Sequence, residues 1–210
     1  MATTAKHFTK RVLGLVQTTL TTLGFHKRKA GILALQVSEE VLGTVGLNIA
    51  TGRGADILEI NPVIGVRNQR LERLVAELRG ETFDELMPPT VAANLGYLSP
   101  ENRYLPFIFT EDDRIETLAD ELREAVKAHG LPFITKAANL AALVHEMQAG
   151  RIGIQFMLDY RIPAGLFLLG DRAKAQAFLA ARLAETSSRN DPAAIRYKAF
   201  ASKFSERLAA

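Results

Sequence analysis

Residues 56–80, DILEINPVIGVRNQRLERLVAELRG, contain the passage from strand to helix that decides the fold. The first part alternates, and it places Glu59 on the same strand face as Ile57 and Asn61. Pro62 cannot donate a hydrogen bond to a neighbouring strand, which predicts an edge strand or a bulge at that point. In the second part, apolar residues recur at helical spacing. The stretch therefore predicts a strand followed directly by an amphipathic helix.

The helix in this stretch has a start signal and a stop signal. Asn68 is a residue type that caps helix N-termini, and Gly80 suits the left-handed position after the last turn. Upstream, residues 32–37 and 41–50 are rich in β-branched residues and predict two more strands, with a hairpin turn at 51–55. Together the three strands predict an antiparallel meander.

Helical periodicity covers most of the remaining chain. The predicted helices are 3–23, ended by Gly24; 110–130, capped by Thr110 with Asp112 and Asp113 in the first turn; 137–150; a hairpin over 161–185; and 190–208. Residues 26–29 are predicted as a basic connection and 104–109 as one further strand. For 152–160 strand and helix both remain open. In the last helix, Tyr197, Phe200, Phe204 and Leu208 form an apolar stripe. We expect it to pack into the chain's own core, and a dimer or partner surface is the alternative.

These elements predict the α+β class, with an N-terminal helix, an antiparallel sheet with a covering helix, and an all-helical C-terminal half. We place an α+β module at residues 1–110 and a helical region at 111–210, packed together as one structural unit.

Composition excludes several classes of protein. The chain has 210 residues, 48% of them hydrophobic, 23% charged and none cysteine, which excludes a disordered tail and a disulfide scaffold. The longest apolar stretch, 162–169, is far shorter than the roughly 20 residues that cross a bilayer. We therefore predict no membrane span and no signal peptide, and a cytoplasmic location.

Charge is distributed unevenly along the chain. Residues 1–38 carry a net charge of +6 and residues 190–210 a net charge of +2, although the whole chain is only +3. The basic ends either pair with the acidic middle or form a surface for an acidic partner. Nucleic acid is the less favoured partner, because the chain has no Trp and its basic residues are not interleaved with aromatic residues that stack on bases.

No motif for metal, cofactor or nucleophilic chemistry is present. The four histidines lack metal-ligand spacing, and Gly52 and Gly54 precede a strand rather than the helix that a phosphate loop needs. Glu59 lies in the middle of a strand. If its face of the sheet is covered, its carboxylate must be paired or protonated. If that face is solvated, which we favour, Glu59 has no specific role. We predict no catalytic residue, no metal and no cofactor. The candidate binding residues are Lys27, Arg28, Lys29, Glu59, Arg67 and Arg70.

Several segments resemble a known group of proteins. They are Leu23-Gly24-Phe25 followed by the basic turn, 45–49 (VGLNI), 61–67 (NPVIGVR), 130–133 (GLPF) and Gly170-Asp171. Mainly in its first half, the chain resembles bacterial α+β domains of unknown function, some of which resemble immunity proteins encoded beside toxins. The resemblance implies a bacterial cytoplasmic module and transfers no site residue.

The function that these observations favour is binding of another protein, and its most concrete form is an immunity protein that blocks a toxin by complementary shape and charge. Two alternatives remain open: a hydrolase or transferase built on Glu59 and the arginines, and a nucleic-acid-associated factor that uses the basic ends. The sequence predicts neither the identity of the partner nor an oligomeric state.

Overall fold

A computed structural model describes residues 2–29, 31–50, 57–86, 88–111, 114–150 and 152–209. The chain forms two compact units. Unit one comprises Met1–Val66 and Ala92–Lys136, and unit two comprises Arg67–Val91 and Ala137–Ala210. The boundary at residue 110 that the sequence suggests lies inside unit one, and as a division between domains it stays a prediction.

In the described residues the β-structure is one sheet of six strands in the order β1-β2-β3-β4-β5, with β6 also paired to β4. The pairs β1–β2, β2–β3 and β4–β6 are antiparallel. The strands are β1 His26–Lys29, β2 Ile32–Ser38, β3 Val41–Ala50, β4 Ile57–Asn68, β5 Val91–Asn94 and β6 Phe107–Thr110.

Helices make up the start of the chain and most of its second half. They are α1 Ala2–Thr21, α2 Gln69–Arg79, α3 Leu95–Leu98, α4 Ile115–Ala125, a π-helical turn Val126–Gly130, α5 Leu131–Ala138, α6 Leu140–Gln148, α7 Gln155–Leu168, α8 Arg172–Thr186 and α9 Pro192–Ala209. In the described parts of the chain, none of these helices has both the length and the apolar character that crossing a membrane requires.

The structure confirms the predicted α+β class, with its N-terminal helix, antiparallel sheet and helical C-terminal half. The ends of α2 are as predicted: the Asn68 side chain accepts a hydrogen bond from the backbone N–H of Leu71, and Gly80 has φ +70°. Gly24, after α1, likewise has a positive φ of +86°. The segment left open, 152–160, belongs mainly to helix α7, which begins at Gln155.

Several local predictions are wrong. Residues 26–29 form strand β1 rather than a connection, because they pair with β2. Of the two predictions for Pro62, an edge strand or a bulge, the edge strand is wrong, since β4 has neighbours on both sides, and the bulge stays a prediction. Thr110 ends β6 instead of capping a helix, and α4 begins at Ile115. The predicted hairpin turn at 51–55 and the first-turn Asp112 and Asp113 lie outside the described residues.

The helix predicted to stop at Gly130 continues through it. The backbone passes from α4 into the π-helical turn and on into α5, and the residue after the turn, Leu131, keeps helical torsion angles. A side chain at position 130 would approach Ile64 to 3.1 Å, so this glycine allows close packing instead of ending the helix.

In unit one, the first half of strand β3 is buried on both faces of the sheet. Residues 41–45 of β3 are all buried, although consecutive side chains of a strand point to opposite faces. Gly43 lets the strand approach α5 closely, because a Cβ there would lie 2.8 Å from the Ile134 side chain. The helix α1 packs against α4. Its buried stripe is Phe8, Val12, Val16 and Leu20.

Unit two packs α2 with α7, α8 and α9 around an aromatic core. Phe200 is fully buried and meets the ring of Tyr160 edge-on, with 4.9 Å between the ring centroids. Phe204, one turn later, packs edge-on against Phe167. The burial of Tyr197, Phe200 and Phe204 confirms that the stripe of the last helix packs into the chain's own core.

Candidate functional site

The predicted basic residues of the first turn lie on an edge of the sheet. Lys27 and Arg28 belong to β1, whose single strand neighbour is β2 in the described sheet, and both side chains are exposed. Lys29 ends the same strand, and its side chain lies outside the described residues. The exposed cations of β1 form an accessible positive edge.

Glu59 is buried, with 5% of its surface exposed, so the solvated face that the sequence favoured is wrong. Its Oε1 accepts a hydrogen bond of 2.6 Å from the hydroxyl of Tyr104. This is the paired state that a covered face requires. On the same face, the side-chain amides of Asn61 and Asn94 are hydrogen-bonded to each other.

Arg67 belongs to a buried ion cluster in unit two. Glu72 is 5% exposed and binds Arg161 through two contacts, Nε to Oε1 at 2.8 Å and Nη2 to Oε2 at 3.2 Å. The Nη1 of Arg67 lies 3.7 Å from the same Oε2. Two guanidinium groups therefore share one carboxylate. In contrast, Arg70 is exposed on α2.

The guanidinium of Arg67 also fixes the loop that follows α2. It donates to the backbone carbonyls of Asp84 and Pro88, and it lies 5.3 Å from the ring centroid of Phe83. Burial lowers the pKa of Arg67 below its usual value, and the nearby charge of Glu72 opposes this shift. The arrangement makes Arg67 an interior clamp on Phe83, Asp84 and Pro88.

A concave pocket of about 330 Å³ lies among α2, α7, α8 and α9 of unit two. Its lining has four guanidinium groups and one carboxylate, Asp159, together with aromatic side chains. We call it the arginine pocket, defined by Arg79, Arg182, Arg189, Arg196, Phe156, Asp159, Tyr160 and Tyr197. None of these residues is among the six that the sequence singled out as binding residues.

Two of the guanidinium groups are held in place by neighbours of their own chain. Arg182 lies with Nε 2.9 Å from Asp159 Oδ2, and its Nη1 contacts Glu185. Arg79 lies with Nη2 2.7 Å from Glu81 Oε1. The guanidinium of Arg79 also lies 4.6 Å from the ring centroid of Tyr160. Both groups are therefore fixed before any ligand enters.

The other two guanidinium groups are closer to solvent. Arg189, in the turn between α8 and α9, has Nε 2.9 Å from Asp191 Oδ2. Arg196, on α9, is exposed and has no ion-pair partner among the described residues. Arg196 thus offers a charge that an incoming anion can pair with directly.

Burial raises the pKa of two other polar groups of the pocket. Burial raises the pKa of the Asp159 carboxyl above its usual 3.8, although the charge of Arg182 opposes the shift. Burial also raises the pKa of Tyr197. The side chain of Tyr197 is 3% exposed, and its hydroxyl has no hydrogen-bond partner among the described residues. The hydroxyl is therefore protonated near neutral pH and available as a donor.

Local sequence fixes the turn that completes the pocket. Asp191 caps α9, with its Oδ1 accepting from the backbone N–H of Ala193 at 3.0 Å and of Ala194 at 3.1 Å. Lys198 reaches back from α9 and donates to the carbonyls of Ser187 and Arg189 at 2.9 Å and 2.7 Å. These bonds hold the α8–α9 turn, and with it Arg189, against the start of α9.

One feature of the sequence could have indicated this pocket. Tyr160 and Tyr197 carry hydroxyl groups at apolar positions of their helices, where a phenylalanine ring would pack equally well. The arginines come from separate elements, so no local motif predicts that they meet.

The described residues include no group of three or more histidine, aspartate or glutamate side chains that could hold a metal ion. No protein-family model, no curated protein and no solved structure matches this chain.

Proposed function

We propose that this chain is a protein-binding module and that the arginine pocket is where it holds an anionic segment of its partner. The observation that carries the proposal is the lining of this concavity. It has four guanidinium groups, three with carboxylate partners in the chain and one, that of Arg196, with no ion-pair partner among the described residues, beside a buried hydroxyl that has no partner among them. Such a lining favours negatively charged groups and gives them oriented donors.

The surroundings of the pocket support a protein partner. Phe156, which lines it, is 63% exposed, and Ile195, the neighbour of Arg196, is 56% exposed. Tyrosine and arginine are over-represented among the residues that dominate protein–protein binding energy, and exposed apolar side chains beside them add area removed from water. Small anions alone would not require exposed apolar residues next to the charges.

The most concrete form of this function is an immunity protein of a bacterial cytoplasm that blocks a toxin. The resemblance of the first half of the chain to bacterial domains of unknown function supports this form, as does the positive β1 edge with Lys27 and Arg28. Blocking an active site needs shape and charge complementarity, and no catalytic group. The exposed cations of β1 would equally serve the nucleic-acid alternative, so the peptide test below decides between an acidic protein segment and other anions.

A pair of labelled peptides tests the proposal. One is a short peptide of alternating glutamate and leucine, and the other replaces each glutamate by glutamine. We expect the acidic peptide to bind in fluorescence anisotropy and the neutral peptide to bind much more weakly, with affinity falling as salt is added. Arg196→Ala removes the guanidinium that has no ion-pair partner among the described residues, so the variant should bind the acidic peptide about three- to tenfold more weakly.

Two control variants separate the arginine pocket from other positive surfaces. Arg70→Ala removes an exposed guanidinium of α2 that does not line the pocket, and it should leave binding unchanged. The double variant Lys27→Ala, Arg28→Ala tests the β1 edge. Loss of binding in the double variant but not in Arg196→Ala would move the site to β1, and equal binding of the acidic and neutral peptides would refute an anionic partner segment.

A further inference from the structure

The buried hydroxyl of Tyr197 indicates which anion the arginine pocket takes. A buried donor without an acceptor is unfavourable, and the folded chain supplies no acceptor for it among the described residues. Tyr197 lines the arginine pocket together with Arg182 and Arg196. It therefore lies among the residues whose guanidinium groups an entering anion would meet.

We propose that the arginine pocket binds a phosphate monoester, carried by a phosphorylated side chain of the partner protein. The source of the phosphate rests on the proposed function, whereas binding of the phosphate group itself rests on the pocket alone.

The existing ion pairs favour phosphate over a carboxylate. Arg79, Arg182 and Arg189 already have carboxylate partners in their own chain, with closest contacts of 2.7–2.9 Å. A carboxylate from a ligand would replace one such partner with another of the same charge and geometry. A phosphate monoester carries a charge of about −1.5 to −2 and three acceptor oxygens, so it gains contacts that a carboxylate cannot.

The donors of the pocket also match a group with three oxygens. Guanidinium groups approach from α2, from α8, from the α8–α9 turn and from α9, and the hydroxyl of Tyr197 adds a neutral donor. A planar carboxylate has two oxygens and can meet donors on two sides. A tetrahedral phosphate directs its three free oxygens apart, which suits donors that come from separate helices.

The dimensions leave room for the group that carries the phosphate. A volume of about 330 Å³ lies within the range of small-molecule sites and exceeds that of a phosphoryl group. Tyr160 provides an aromatic wall, and the exposed ring of Phe156 lies at the rim. A phosphorylated side chain can therefore enter while the rest of its peptide stays on the apolar rim.

Asp159 is the one carboxylate of the lining, and it opposes any anion. Its pairing with Arg182, Nη2 to Oδ2 at 2.8 Å, offsets part of this repulsion. Replacing it with asparagine removes the negative charge and keeps an oxygen that can accept from Arg182. The variant Asp159→Asn should therefore bind phosphate more tightly than the wild-type chain.

The test uses phenyl phosphate and two peptides that differ only in phosphorylation of one tyrosine, each titrated by calorimetry into the full chain. We expect phosphorylation to tighten binding about tenfold or more, because charge-assisted hydrogen bonds are added. Tyr197→Phe should remove much of that gain for the phosphorylated peptide and weaken phenyl phosphate by a similar factor. Tyr97→Phe, at a tyrosine that is 55% exposed and outside the pocket, is the matched control and should change nothing.

The outcomes separate this inference from the proposed function. Equal binding of the two peptides would overturn the phosphate inference and leave the protein-binding function standing. Binding of phenyl phosphate that depends on Tyr197, without binding of either peptide, would support the phosphate site and overturn its protein source. Adenosine monophosphate binding more tightly than the phosphorylated peptide would overturn that source in favour of a nucleotide. No binding of any of these probes would overturn the phosphate inference, whereas the proposed function is overturned only if the acidic glutamate–leucine peptide also fails to bind.

Discussion

The replacement Tyr197→Phe removes a single oxygen from the arginine pocket and should stabilise the chain when no ligand is bound. The ring stays in the aromatic core, where its centroid lies 5.6 Å from that of Tyr160 and 5.9 Å from that of Phe200. A buried hydroxyl without a hydrogen bond costs about 1–3 kcal/mol. We expect the free energy of unfolding to rise by up to this amount. For a chain of this size, each kcal/mol raises Tm by about 2–4 °C.

Urea unfolding followed by circular dichroism measures this change, with Tyr97→Phe as a control at an exposed tyrosine. In excess phenyl phosphate the difference between the two chains should shrink, because a ligand that binds the folded state stabilises the wild-type chain more than the variant. A loss of about 1 kcal/mol or more without ligand would show that the hydroxyl has an acceptor in the folded chain. That result would refute the reasoning that assigns its partner to a ligand.

Three further predictions concern unit two. Phe200→Ala should lower the free energy of unfolding by about 3–5 kcal/mol in urea titrations, because the ring is fully buried. Glu72→Ala leaves two buried guanidinium groups without their carboxylate and should cost about 3–5 kcal/mol in the same assay. Since burial raises the pKa of Asp159 above 3.8, its ionisation opposes folding: the stability it contributes is complete below pH 3.8 and is lost as pH rises through the higher folded pKa. Asp159→Asn should therefore reduce this loss of stability with rising pH. Asp171→Asn removes a carboxyl whose pKa is lowered, so it should change the stability–pH profile with the opposite sign.

The elements that could be predicted best are those whose signals are local. Asn68 and Gly80 give α2 its predicted ends because capping needs one side chain and one left-handed residue, both visible in the sequence. The strand 41–50 follows in the same way. Each of these signals depends on the residue itself and its near neighbours, so tertiary contacts do not overrule it.

The errors arise where a tertiary contact decides. Residues 26–29 have the composition of a solvated turn, and they become a strand because β2 offers a pairing edge. Gly130 has the composition of a helix stop, and it stays helical because its missing side chain lets Ile64 pack close. The burial of Glu59 depends on Tyr104, which lies 45 residues later in the chain.

The buried ion cluster and the arginine pocket are connected through the same two helices. Glu72 and Arg79 are seven residues apart on α2, about two turns, so they lie on the same side of that helix. Their partners on α7 are adjacent: Arg161 binds Glu72 and Tyr160 lies under Arg79. Because a shift of α7 along α2 would separate the buried guanidinium from its carboxylate, the cluster allows one register only. We infer that this register places Tyr160 beneath Arg79 and directs Asp159, the next residue toward the N-terminus, to Arg182 on α8.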